Sequence, residues 1–137
     1  LNEMFYSVSV FRWTGGPPTP PLATVKALEQ DAPGNSGAEV LLHRSGQLLF
    51  SSNRGHDSIS VYQSDPATGS LRLLRAVPLG GKVPRGFVLS PDGKWLLAAA
   101  QNSDQVFAFR INKKAQTLEP VGGPISIGRP VCLRFSR

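Results

Sequence analysis

The sequence has one cysteine, Cys132, so no internal disulfide can form and nothing in the cysteine usage asks for an oxidising compartment. Long apolar runs are also missing. The most continuous, Trp95 to Ala100, falls far short of the roughly 20 residues needed by a membrane-spanning helix, so no membrane partner is expected. Histidine occurs only at positions 43 and 56, and with the lone cysteine it makes no metal-ligand spacing. Neither a metal nor a cofactor is expected. No nucleophile elbow, phosphate loop or dinucleotide fingerprint is present; Gly80-Gly81-Lys82 lacks the spacing and the hydroxyl of a phosphate loop. With no basic and apolar leader in the sequence, the expected location is the cytoplasm.

Acidic residues are the scarcer charge: nine against 15 basic ones, for a net charge of +6 and a pI near 10.1. That balance raises the possibility of nucleic-acid binding, but the distribution argues against it. Basic residues fall about one per nine positions from Arg12 onward, with Lys113-Lys114 the only adjacent pair. Counterion release needs several phosphates neutralised together, which a dispersed charge does not supply. The expectation is a mildly basic surface that attracts small anions.

Glycine and proline are plentiful, at 14 and 12 in 137 residues, and they punctuate short segments rich in Val, Ile, Phe and Tyr. Such segments read as strands joined by turns. They also repeat. Asn2 to Phe11 aligns with Asn53 to Tyr62 at an offset of 51, and the latter aligns with Ala100 to Phe109 at an offset of 47. The turn and strand Arg44 to Phe50 match Pro91 to Leu97 at 47, and Pro84 to Ser90 matches Pro130 to Ser136 at 46. Within one period four strands are expected, over Ala38–His43, Gln47–Asn53, Ser58–Gln63 and Leu71–Pro78.

Four antiparallel strands in a repeat of this length make a β-propeller blade, so the fold class is all-β. The phase divides the chain into a partial blade over 1–36, whole blades over 37–83 and 84–129, and the first strand of a further blade over 130–137. In the first of these, Leu22 to Leu28 is expected as the outer strand after a Pro-rich loop. In the last, Val131 to Phe135 is expected as a lone inner strand. Two whole blades cannot close a ring. The chain is therefore expected to be the C-terminal part of a larger propeller, whose missing blades are its necessary neighbours.

Residues in phase occupy equivalent places on adjacent blades. Glu3, Arg54 and Gln101 form one such set, each just past the end of a second strand, where loops surround the mouth of a propeller's channel. An acid, a guanidinium and an amide converging there suit an anionic or carbonyl-bearing ligand. An ion pair between blades, with no ligand, is the competing account. His56 is an acid-base candidate or a turn histidine bonded to Asp57. Glu39 and Arg85, on inner strands, are further candidates for the channel lining, while His43 has no assigned role.

The motifs Asn35-Ser36-Gly37-Ala38-Glu39-Val40, Ser52-Asn53-Arg54-Gly55-His56-Asp57-Ser58-Ile59, Pro84-Arg85-Gly86-Phe87 and Gln101-Asn102-Ser103-Asp104 occur in this order over nearly the whole chain. Together they resemble the seven-bladed propeller lactonases, the family of a bacterial type of 6-phosphogluconolactonase and of fungal carboxy-muconate cyclases. The resemblance implies hydrolysis or formation of a small sugar-acid or related lactone without a metal, with Glu3 as the family's catalytic acid and Arg54 as its active-site arginine; His56, Arg85, Glu39 and Gln101 are expected, from their phase and position, as substrate-binding residues. It also implies a histidine on an earlier blade, so the 137 residues alone are expected to be inactive. A muconate-type cyclase or hydrolase, or a propeller that only binds, would fit the same fold. Two departures stand out: Gly86 where a larger polar residue is usual, expected to alter the channel lining, and Arg44 in place of a Pro-Asp-Gly turn entry, expected to be a turn variant only.

Overall fold

A computed structural model describes residues 1–17 and 19–136. Eleven strands and one short 3-10 turn were found among them, and no helix there is long and apolar enough to cross a membrane. The strands form three antiparallel sheets in series. β1 (Ser7–Val10) pairs with β2 (Ala23–Lys26) in the first. The second runs β3 (Ser36–Leu42), β4 (Leu48–Arg54), β5 (Ser58–Asp65) and β6 (Ser70–Pro78), each paired with the next. The third runs β7 (Pro84–Leu89), β8 (Trp95–Ala100) and β9 (Gln105–Asn112), with an outer edge divided between β10 (Thr117–Pro120) and β11 (Ile125–Ser126). Val121-Gly122-Gly123-Pro124 separates the two outer pieces.

The blade phase read from the sequence holds at the level of strand pairs. Gly37 faces Asn53 in the second sheet and Pro84 faces Ala100 in the third, each residue 47 positions after its counterpart. Both inner strands then carry one extra residue at the same place, over Ala38-Glu39 and Arg85-Gly86. A bulge of this kind bends the strand and re-aims its side chains.

Ser58 through Tyr62 are all buried, although polar and apolar residues alternate along them. A blade between two neighbours has no water-facing side, which explains this. Ile59 and Val61 join Leu79, Phe87, Leu96 and Phe109 in the core between the second and third sheets. Tyr62 points the opposite way and packs with Val8 and Ala27 of the first sheet.

The turns are built from repeated parts. Asp57 and Asp104, 47 apart, both adopt positive φ. In each case the carbonyl accepts from the outer edge of the blade, Leu79 N at 3.0 Å and Ile127 N at 2.8 Å. Each carboxylate then accepts from the start of the next inner strand, Val83 N and Arg129 N, both at 2.8 Å.

Three expectations need correction. Val131 to Phe135, expected as a lone inner strand, makes no ladder among the described residues. The segment nevertheless runs along β7, and it explains Gly86: a Cβ there would lie 2.6 Å from the Val131 carbonyl oxygen. The glycine admits a neighbouring backbone rather than opening the channel lining. Arg44 is more than a turn variant, since its Nη1 donates to the Pro91 carbonyl at 2.9 Å, from one blade's turn to the next. Beside it, His43 is buried and does the same: Nδ1 accepts from Ser45 N at 3.1 Å, which leaves the proton on Nε2 to donate to the Gly93 carbonyl at 2.9 Å.

Candidate functional site

The site is assembled where the second strand of each blade ends. Arg54 closes β4, and its Nη2 donates both to the Glu3 carboxylate of the first sheet and to the Gly37 carbonyl, the latter at 2.8 Å. Glu3 lies in the turn between Asn2 and β1, and its own carbonyl accepts from Gly37 N at 2.8 Å. Backbone and side chain thus join the same two blades at one point. The guanidinium is mostly buried and the carboxylate mostly exposed.

Asn35 completes this corner. Its Oδ1 accepts from the His56 backbone N–H at 3.1 Å, so the amide orientation is fixed and Nδ2 is the end left over. Asn35 Nδ2 and Arg54 Nε are buried donors without an acceptor among the described residues. A buried donor left unpaired costs about 1–3 kcal/mol. Glu3, Arg54 and Asn35 border one cavity of about 1150 Å3, together with Tyr6, Asp31 and Ser36. Much of the remaining wall is Asn2, Ser7, Ser9, Thr24 and Lys26, which belong to the open face of the first sheet. The volume therefore overstates any ligand chamber.

Lys26 donates to Asp31 at 2.5 Å on the cavity rim. That hydrogen bond, with a second from the Tyr6 hydroxyl, holds the Asp31 carboxyl below its ordinary range and raises the Lys26 ammonium.

The other sequence candidates lie apart from this pair. His56 does not bond Asp57: its Nδ1 meets Ser58 Oγ at 2.8 Å, while Asp57 is occupied with Gly55 N and Val83 N. Because Ser58 Oγ already accepts from Asn53 Nδ2, its own proton is available to His56 Nδ1. The imidazole faces a separate cleft of about 370 Å3 with Glu29, Asp31 and Arg75. Gln101 lines a third cleft with Asn102, Asp104 and Arg129, so the expected three-residue convergence reduces to Glu3 and Arg54. Glu39 and Arg85 both sit on the inner-strand bulges; Glu39 Oε1 accepts from Val40 N at 3.2 Å, and Arg85 is exposed, with no ion pair among the described residues. No group of three or more His, Cys, Asp or Glu capable of holding a metal ion occurs among the described residues.

Comparison with known proteins decides the family. The model of the seven-bladed β-propeller lactonases matches residues 1–135. The chain belongs to this lactonase family. It is 30% identical over 115 residues to a 6-phosphogluconolactonase of Bacillus subtilis, covering 83% of this chain and 33% of that protein. A 6-phosphogluconolactonase of Formosa agariphila is 31% identical over 112 residues, covering 80% of this chain and 31% of the relative. Among solved structures, a periplasmic gluconolactonase of Pseudomonas aeruginosa superposes with a TM-score of 0.87 at 29% identity, over 98% of this chain and 38% of the other. A structure from Bacteroides fragilis gives a TM-score of 0.90, also at 29% identity, over all of this chain and 38% of the other. This lactonase chain thus spans about a third of the length of the curated relatives it matches.

Proposed function

We propose that the Glu3–Arg54 corner is part of the active site of a lactone hydrolase of the 6-phosphogluconolactonase type, complete only in a closed propeller ring. One observation carries this reading. An ion pair spanning two blades borders a cavity, and two residues of that cavity's wall, Arg54 and Asn35, each hold a buried donor, Nε and Nδ2, with no acceptor among the described residues. A structural ion pair needs no such surplus.

The chemistry that suits these groups is simple. Water adds to the lactone carbonyl carbon, the ring C–O bond breaks, and the proton lost by the water returns to the departing ring oxygen. Glu3 is the group able to take and return that proton. Arg54 holds the substrate's phosphate or carboxylate, or the oxyanion, with charge-assisted bonds. Glu39 and Arg85, on the inner-strand bulges, are assigned to substrate binding in the channel of the closed ring, while His56 and Gln101 border other clefts. The reaction is placed in the cytoplasm, in keeping with the cysteine usage; the relative from Pseudomonas aeruginosa is a periplasmic protein.

The ring is the deciding test. A chimera in which these 137 residues replace the matching third of the Bacillus subtilis relative is expected to hydrolyse 6-phosphogluconolactone, while the chain alone is expected to show none of that activity. An inactive but folded chimera, or one as active with Arg54→Ala as without it, would count against the proposal. A profile favouring carboxylated muconolactones over phosphorylated sugar lactones would move the assignment to the cyclase branch.

A further inference from the structure

The turn after the second strand occupies the same place on the second and third blades, yet it aims its first side chain in two directions. Arg54 belongs to β4 and pairs with Ser36. Gln101, 47 positions later, has left the ladder: β8 ends at Ala100, and Gln101 opens the 3-10 turn over Gln101–Ser103. Within a ladder the pleat fixes where a side chain points, and a residue that leaves it is re-aimed. Arg54 therefore meets Glu3, while Gln101 lies in another cleft.

The cause lies in the entry to the inner strand. Val83, the counterpart of Ser36, has φ of +59°, and the Asp57 carboxylate holds its N–H, so β7 begins only at Pro84. Tyr6 stands at the place of Asp57, also with positive φ and with its carbonyl accepting from Ala27 N, but it has no carboxylate to offer Ser36. Its hydroxyl goes instead to Asp31, in a connection that is five residues longer from Ala27 to Ser36 than from Leu79 to Val83. The added length lays Gly34 and Asn35 against the Arg54-Gly55-His56 turn. Asn35, 7% exposed, accepts from His56 N with Oδ1. A Cβ at Gly55 would lie 2.9 Å from the Gly34 carbonyl oxygen and 3.1 Å from Asn35 Cα, and Gly55 itself has φ of +108°. At the next boundary Asn102 takes this place, its N–H reaching the Lys82 carbonyl at 3.2 Å, and the turn holds no glycine.

We propose that Asn35 and Gly55 are positioning residues: the Gly34-Asn35 connection, closed on Gly55, keeps Arg54 in the ladder and its guanidinium before Glu3. Both act through Arg54. The catalytic consequence rests on Arg54 being an active-site residue; the geometric one does not.

Exchange of the Arg54 Nε–H with water, followed by NMR in the 137-residue chain, tests the geometry. This buried proton is expected to exchange slowly in the wild type and about tenfold or more faster in Gly55→Ala. Gly46→Ala, which also places alanine at positive φ but in the turn at the other end of β4, is expected to leave the exchange unchanged. In the active chimera, Gly55→Ala is expected to lower kcat/KM about 10- to 100-fold, the scale of a misplaced catalytic group, and to lower it no further once Arg54 is already alanine. Faster exchange in Gly55→Ala beside a fully active Arg54→Ala chimera would remove the active-site reading and leave the positioning of the guanidinium standing. Unchanged exchange in Gly55→Ala, or a loss of rate that Arg54→Ala does not absorb, would overturn the inference. Asn35→Ala, which frees His56 N–H without any clash, repeats the exchange measurement should Gly55→Ala fail to fold.

Discussion

Arg54 holds Glu3 with the same nitrogen that it gives to the Gly37 carbonyl, so one guanidinium ties the first blade's acid to the second blade's inner strand. Most of Arg54 is buried, whereas Glu3 reaches into water, and the pair has little to offer stability. Ion pairs with an exposed partner are worth about 0–1 kcal/mol. Glu3→Gln is thus expected to cost the isolated chain at most about 1 kcal/mol in urea denaturation. In the active chimera, the same substitution or Arg54→Ala is expected to lower kcat/KM by about 100-fold or more, the scale of losing one pre-positioned transition-state group. A large stability loss with little loss of rate would reassign the pair to structure alone.

The asparagine clip provides an internal control. Asn53 is fully buried beneath the first sheet, and its amide satisfies two serine hydroxyls there; Asn2 makes the same two bonds on a half-open face. Asn53→Ala leaves Ser58 and Ser60 without their donor in a site that water does not reach, at a cost of about 1–3 kcal/mol. Asn2→Ala lets water replace the amide and is expected to cost about 0.5–1 kcal/mol, near the net worth of an ordinary hydrogen bond. Paired chemical denaturation curves of the two variants check the ordering.

Gly46 and Gly93 occupy equivalent turns, with φ of +73 and +70°, so an alanine at either bears the same backbone strain of about 1–2 kcal/mol. Their surroundings differ. A Cβ at Gly93 would lie 2.6 Å from His43 Nε2, while one at Gly46 would meet nothing closer than Pro66 at 3.4 Å. Gly93→Ala must push the buried imidazole off the carbonyl it bridges, and is expected to lower Tm several degrees more than Gly46→Ala. Equal shifts would show that the His43 bridge between blades contributes nothing.

Most of the fold is legible in the sequence because its signal is periodic. The offset of 47 places β4 with β8 and β5 with β9 within a residue or two, and the bulge shared by β3 and β7 emerges only from the strand registers. The inner strand expected at Val131 to Phe135 is not seen as a ladder among the described residues, since a lone strand has no partner to form one with. The site is less legible. Phase puts Glu3, Arg54 and Gln101 in one class, but class membership does not give distance, and Gln101 lies in another cleft. Residues that act across a blade boundary, such as His43 and Arg44, carry no repeated partner that a one-dimensional pattern could reveal. Asn35 lay inside a recognised motif, yet its importance rests on a donor left over once His56 N–H has fixed its amide, which only the packed structure discloses.

Tyr62 gives the fold an alkaline limit. Burial between the first two sheets raises its phenol from the usual 10 to about 12, against a smaller opposing effect of the hydrogen bond with Ser51. Since the folded-state value lies above the unfolded one, at pH between the two the unfolded chain has lost its phenolic proton while the folded chain keeps it. Unfolding then releases a proton, and rising pH favours it. Below about pH 10 the group contributes no slope; between about pH 10 and 12 it is expected to remove about 1.4 kcal/mol of stability per pH unit. Tyr62→Phe keeps the ring in its place beside Val8 and Ala27 but has nothing to ionise. The variant is expected to start slightly less stable at neutral pH, having left Ser51 without its phenol partner, and then to show a shallower decline above pH 10. Denaturation midpoints for both chains across this range read the difference directly, and parallel alkaline slopes would mean that Tyr62 does not stay protonated in the folded state.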